Sequence, residues 1–72
     1  MNFSQALVLL KEGHRITRSN WNGAGQFLEL QRPDENSKMT LPYIFITTVQ
    51  GDRVPWLGSQ TDLLSEDWTV AT

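Results

Sequence analysis

Acid–base or nucleophilic chemistry needs a nucleophile beside a base, or a pair of carboxylates. The chain offers two places to look: His14, its single histidine, and the acidic group Asp62, Glu66 and Asp67. His14 follows Gly13, which reads as a helix stop, and there an imidazole is commonly a surface group favoured by the helix dipole. Asp62 and Glu66 stand four apart, a spacing that a helix cap and a solvated face explain without chemistry. Gly23-Ala24-Gly25 lacks the third glycine and following helix of a dinucleotide fingerprint, and lacks the lysine of a phosphate loop. With no cysteine and one histidine, a zinc site would have to be built from carboxylates, which structural sites avoid. The expectation is no enzyme, no metal and no cofactor.

The tryptophans say more. Trp21 falls in a turn and Trp56 beside a proline, places where a core seldom puts its largest side chains. An indole left near the surface stacks on a base. The polar groups around the two, Arg18, Asn20, Asn22, Ser59, Gln60, Thr61 and Asp62, have the donors and acceptors to read hydroxyls and base edges. An oligomer interface, where tryptophan is also enriched, accounts for the same pattern, and a pocket at such an interface satisfies both readings. Trp68 lies inside a short β-type run and reads as core or interface.

These residues need elements to hold them. Ser4 reads as an N-cap with Phe3 and Val8 at staple spacing and Gly13 as a left-handed stop, which predicts a helix over 5–12 with Phe3, Ala6, Leu7 and Leu10 on its buried side. Residues 14–18 read as a strand. Asn22-Gly23 and Gly25 then turn the chain into an alternating strand over 26–32 that Pro33 ends. Residues 33–40 are a polar loop. Residues 43–48 give the strongest strand signal and read as a central strand. Arg53 to Leu57 contains Pro55, which cannot donate to a ladder and so belongs at an edge or bulge. Ser59 caps a short helix with Asp62 three positions on and Leu63-Leu64 as its buried side, and residues 68–70 close the chain as a strand. The fold class is α+β: an N-terminal helix packed on a roughly five-stranded antiparallel sheet, with a short helix before the last strand.

Seventy-two residues, 39% hydrophobic, make one domain over 1–72 with a small core. Such a domain commonly gains stability from a disulfide, a metal or a partner subunit, and the chain has no cysteine for the first and a single histidine against the second. A homo-oligomer is expected. The net charge of −2 is the wrong sign for a general nucleic-acid binder, and the longest apolar run, residues 6–10, is far below the ~20 residues of a membrane span. The chain reads as cytoplasmic.

Three segments look alike to one family: Asn2-Phe3-Ser4-Gln5-Ala6-Leu7, Arg18-Ser19-Asn20-Trp21-Asn22-Gly23, and the block from Val54-Pro55-Trp56-Leu57 through Ser59-Gln60-Thr61-Asp62 to Asp67-Trp68. In these the chain resembles, nearly end to end, the Thoeris anti-defence protein two family of phages and prophages. The resemblance implies a non-enzymatic homotetramer in the host bacterial cytoplasm that holds, without cleaving, cyclic ADP-ribose derivatives made by TIR-domain sensors. Some members also hold cyclic oligonucleotides in a separate pocket. For such a ligand, Trp21 and Trp56 would sandwich the base or riboses, and Asp62 and Gln60 would bond hydroxyls. Backbone N–H groups near Gln60 would meet phosphate oxygens, and Arg18, before Arg53, would supply positive charge. On that reading Trp21→Ala and Trp56→Ala lose ligand and keep the fold, while Trp68→Ala loses the fold. The alternative is a phage structural or interaction module whose tryptophans only make subunit contacts.

Overall fold

A helix starts where its first free N–H groups find acceptors, and here Asn2 supplies one. Its Oδ1 accepts from the Gln5 N–H at 2.9 Å, while the Gln5 side chain accepts from the Asn2 N–H at 3.0 Å. This reciprocal capping box starts helix α1 at Phe3, and α1 runs Phe3–Lys11. The cap is therefore Asn2 and not Ser4, and Phe3 lies in the first turn rather than outside the helix. Gly13 ends it as expected: at φ 96° its N–H reaches Leu10 O, and the next N–H, of His14, reaches Leu9 O. That closure needs the left-handed backbone a glycine takes freely.

The computed structural model describes residues 1–21 and 25–71. The remaining elements are β1 (Ile16–Arg18), β2 (Phe27–Gln31), β3 (Tyr43–Thr47), β4 (Arg53–Pro55), α2 (Gln60–Leu63) and β5 (Trp68–Val70). The strands form one antiparallel sheet in the order β4-β3-β2-β1-β5. Pro55 is on an edge strand, as its missing N–H requires. Strand β3 is flanked on both sides, but the centre of the sheet belongs to β2.

Register decides which residues share a face. Ile16 pairs with Leu28, Leu28 with Ile46, and Ile46 with Val54, so these four point to one side. Helix α1 lies on that side, and Ala6 and Leu10 meet Ile16, Leu28 and Trp68 in a fully buried core. Along the outer edge of β5 the chain start adds a short cover. The Met1 ammonium donates to the carbonyls of Glu66 and Trp68, and the Trp68 N–H donates to Met1 O at 3.1 Å. Edge groups that would otherwise be free are thereby satisfied.

Helix α2 differs from the sequence expectation in its packing. Ser59 caps it, accepting from the Asp62 N–H at 3.1 Å, but Leu63 and Leu64 stay exposed and no residue of α2 is buried. A four-residue helix has one turn and no continuous face, so it is anchored by polar bonds instead. No described helix is long and apolar enough to cross a membrane.

Candidate binding site

The C-terminal end of β1 places Arg18 directly across from Trp68 of β5. Chain register thus brings the Arg18 side chain to the acidic stretch that leads into β5 and to α2 just before it. Its guanidinium divides its donors: Nε bonds Asp67 Oδ1 at 2.8 Å, and Nη1 bonds Asp62 Oδ1 at 2.6 Å. The Arg18 side chain is only 12% exposed. Asp67 also accepts from the Asn20 N–H at 2.9 Å, which fixes the turn after β1. Asp62 accepts from the Trp21 indole N–H at 3.1 Å and from Ser59 Oγ at 3.1 Å.

This network sets the charge states. Burial alone would raise the Asp62 carboxyl, but hydrogen bonds from Arg18, Trp21 and Ser59 outweigh it and hold it below the usual carboxylate range. The Asp67 carboxyl is lowered first by the Arg18 hydrogen bond, against a desolvation that acts the other way. Arg18 in turn is raised by Asp67 and Asp62. One guanidinium faces two ionised carboxylates, and the cluster carries one negative charge in excess. Such carboxylates accept hydrogen bonds and have no proton to give at neutral pH.

Beside the ionic cluster stands an aromatic one centred on Trp68, which is 1% exposed. Trp21 meets it at a ring-centroid distance of 5.4 Å and an interplanar angle of 79°, and Trp56 at 6.0 Å and 87°. Phe3 touches both Trp56 and Trp68, at 5.7 and 5.2 Å. The Trp68 indole N–H donates to the Asp62 carbonyl at 2.9 Å, tying the aromatic cluster to α2. Trp21 and Trp56 remain half-buried, each with part of its surface in solvent. They are not free-standing platforms, as their turn and proline contexts imply, because strand pairing brings Trp68 underneath both.

The expected site residues thus fall into groups. Arg18, Trp21, Ser59 and Asp62 form one hydrogen-bonded unit, and Trp56 joins it through Trp68. Gln60 and Thr61 are exposed on α2, with side chains in no hydrogen bond among the described residues. Asn22 lies outside the described residues. The guanidinium expected to meet a phosphate, Arg18, is committed to two aspartates, and Arg53 lies on β4 across the sheet. Three contributors are added by the structure. Asp67 shares Arg18, a role its sequence neighbourhood of Glu66 and Trp68 does not announce. Phe3 walls Trp56. At Gly58, a Cβ would come within 2.6 Å of the far edge of the Trp56 ring, so any side chain there has to displace the indole; the Trp-Leu-Gly spacing is its one sequence signal.

Comparison with known proteins gives this arrangement relatives. The family model described as Thoeris anti-defense 2-like domain matches residues 1–71. A protein named Thoeris anti-defense 2, from Bacillus phage SP01, is 35% identical over 85 aligned residues, covering 100% of this chain and 96% of its own length. The match therefore spans the helix that carries Phe3, the turn that carries Trp21 and the whole stretch from Trp56 to Trp68. By the extent of both matches, this chain belongs to the Thoeris anti-defense 2-like family.

Proposed function

We propose that this chain is a non-enzymatic sponge that binds and sequesters cyclic nucleotide immune signals, above all cyclic ADP-ribose derivatives made by TIR-domain proteins in the infected cell. An anti-defence role of the phage kind follows from family membership. The observation that carries the finer reading is the placement of two half-buried indoles, Trp21 and Trp56, around one fixed tryptophan and beside the polar residues of α2. Rigid aromatic walls bind a base without sequence readout, each stack contributing ~1–3 kcal/mol. Gln60 and Thr61 offer uncommitted polar groups at the rim, and the Asp62 carboxylate is an acceptor for ribose hydroxyls. Because the Arg18 cluster is negative in excess, the ligand's riboses lie toward Asp62 and its phosphates away from it.

Holding rather than cleaving fits the charge states on the acid side: Asp62 and Asp67 are kept ionised by Arg18 and supply no general acid to a leaving group. Self-assembly, as a homotetramer, fits the surface: Leu57 is 94% and Leu64 79% exposed in a domain whose fully buried core, among the described residues, is five side chains. Those same leucines are what favours the second reading, an interaction module without a ligand. Titration calorimetry with cyclic ADP-ribose isomers and cyclic dinucleotides separates the two. Saturable heat at fixed stoichiometry, with the ligand recovered chemically unchanged after the complex is heated, is the expected result. An assembled protein that gives no heat with any of them is an interaction module, and a cleaved ligand makes it an enzyme.

A further inference from the structure

An indole is joined to its backbone through two rotatable bonds, so a ring carried by a turn faces one way only when it is held at both ends. Trp21 is held at both. Its backbone N–H donates to Arg18 O at 3.2 Å and closes the turn after β1. Its ring tip, the indole N–H, donates to Asp62 Oδ1 at 3.1 Å. The edge-on meeting with Trp68 at 5.4 Å adds contact, but aromatic pairs accept a range of angles and fix no single orientation. Both holds lead back to Asp67. On the backbone side, Asp67 Oδ2 accepts from the Asn20 N–H at 2.9 Å and Asp67 O from the Ser19 N–H at 3.1 Å, so one residue binds two successive donors of the turn. On the ring side, Asp67 Oδ1 accepts from Arg18 Nε at 2.8 Å. The arginine stem is flexible, but the guanidinium is a rigid plane with its donors at fixed angles. Fixing Nε therefore aims Nη1 at Asp62 Oδ1, 2.6 Å away, the same oxygen that receives the Trp21 indole. Asp62 and Asp67 are 18% and 19% exposed, so water competes little for these bonds.

We propose that Asp67 is a positioning residue for the binding wall: it sets the orientation of the Trp21 indole from a distance, through Arg18 and Asp62 at the ring tip and through Ser19 and Asn20 at the backbone. The consequence for affinity rests on the sequestration reading above. A ring already oriented for stacking spares the ligand the cost of ordering it, so Asp67 adds to affinity without a bond to the ligand. The role belongs to the carboxylate and its two oxygens, one for Arg18 and one for Asn20. An asparagine has the same size, but it lacks the charge and presents an amide donor where one of the two acceptors is needed. Trp68 supplies the contrast. Its indole N–H donates to the backbone carbonyl of Asp62 and not to the carboxylate that Arg18 aims, and its ring is buried in the core. The orientation of Trp68 is thus independent of the Asp67 side chain, while that of Trp21 is not.

The indole N–H resonances of the ¹⁵N-labelled, ligand-free protein test this, with Asp67→Asn as the variant. The chain has three tryptophans, and Trp21→Phe and Trp56→Phe assign the signals. In Asp67→Asn the Trp21 signal should move upfield, as a bond to an ionised carboxylate is lost, and exchange faster with water, while the Trp68 signal stays in place. Calorimetry of the same proteins with cyclic ADP-ribose isomers should show affinity falling roughly tenfold. An unmoved Trp21 signal in folded Asp67→Asn overturns the proposal, and so does a moved signal with the parent's affinity. If Asp67→Asn does not fold, Arg18→Lys, which keeps the charge and loses the rigid fork, should move the same signal, and an unmoved one is equally fatal. A parent that gives no heat with any isomer ends the sequestration reading, and the ligand-free spectra then decide alone whether Asp67 orients Trp21.

Discussion

Trp68 is the side chain on which the site is assembled. It is buried, meets Phe3, Trp21 and Trp56, and donates to the Asp62 carbonyl. Trp68→Ala should therefore cost ~3–5 kcal/mol, most of the margin of a domain at the low end of the ordinary range of about 5–15 kcal/mol, as a large drop in a thermal melt will show. Trp21→Ala and Trp56→Ala lose ligand too, but not without structural cost, since each forfeits an edge-on aromatic contact worth about 0.5–1.5 kcal/mol beyond its area. A cleaner probe of the ligand wall is Gly58→Ala. The added methyl, 2.6 Å from the Trp56 ring, moves the indole without removing it. Calorimetry should show affinity for the cyclic nucleotide falling tenfold or more while the melting temperature changes little. Unchanged affinity would mean that the Trp56 indole is not part of the wall.

At the scale of elements, the Arg18 network is a polar staple that joins the end of β1 to α2 and to the residue before β5. It replaces the apolar anchor α2 lacks. In the folded chain both carboxyls sit below their ordinary value, and on unfolding they return to about 3.9. The folded state thus binds fewer protons. The stability this adds is fully present above the unfolded value and is lost as pH falls through it toward the folded one. Arg18→Met should lower the melting temperature at neutral pH and shrink its further decline in acid; a decline equal to the parent's would show the pairing to be energetically idle.

The same scale separates what the sequence makes legible from what it does not. Gly13, Pro55 and the Ser59–Asp62 cap act within a few residues of themselves, and each was readable. Asn2 caps in place of Ser4 because Gln5 reaches back to its N–H, a local cue of the same kind that competes with the staple spacing of Phe3 and Val8. Leu63-Leu64 beside a cap looks like a buried face, but burial is decided by what packs on it, and nothing described does. The sequence neighbours of Trp21 and Trp56 point to exposed rings. Their support, Trp68, and the aspartates that hold Arg18 arrive only through the pairing of residues 16–18 with 68–70.

At the scale of the molecule, that pairing also dictates how the chain can fold. The ladders β1–β2, β2–β3 and β3–β4 join neighbours along the chain and close short loops. β1–β5 joins the first strand to the last, and the loop it closes spans most of the protein. Loop-closure entropy makes so distant a contact slow to form. Yet it is the step that delivers Trp68 to α1 and Ile16, so the part of the inner face of α1 that Trp68 covers stays wet until it happens. Pulsed amide exchange during refolding should find the β2–β3 amides protected first and those of β1 and β5 later, together with α1; simultaneous protection would mean that the ends meet before the meander forms. Emerging from a ribosome, a chain built this way holds a nascent hairpin and an unpacked helix until its final strand is released, and only then becomes a protein that can bind anything.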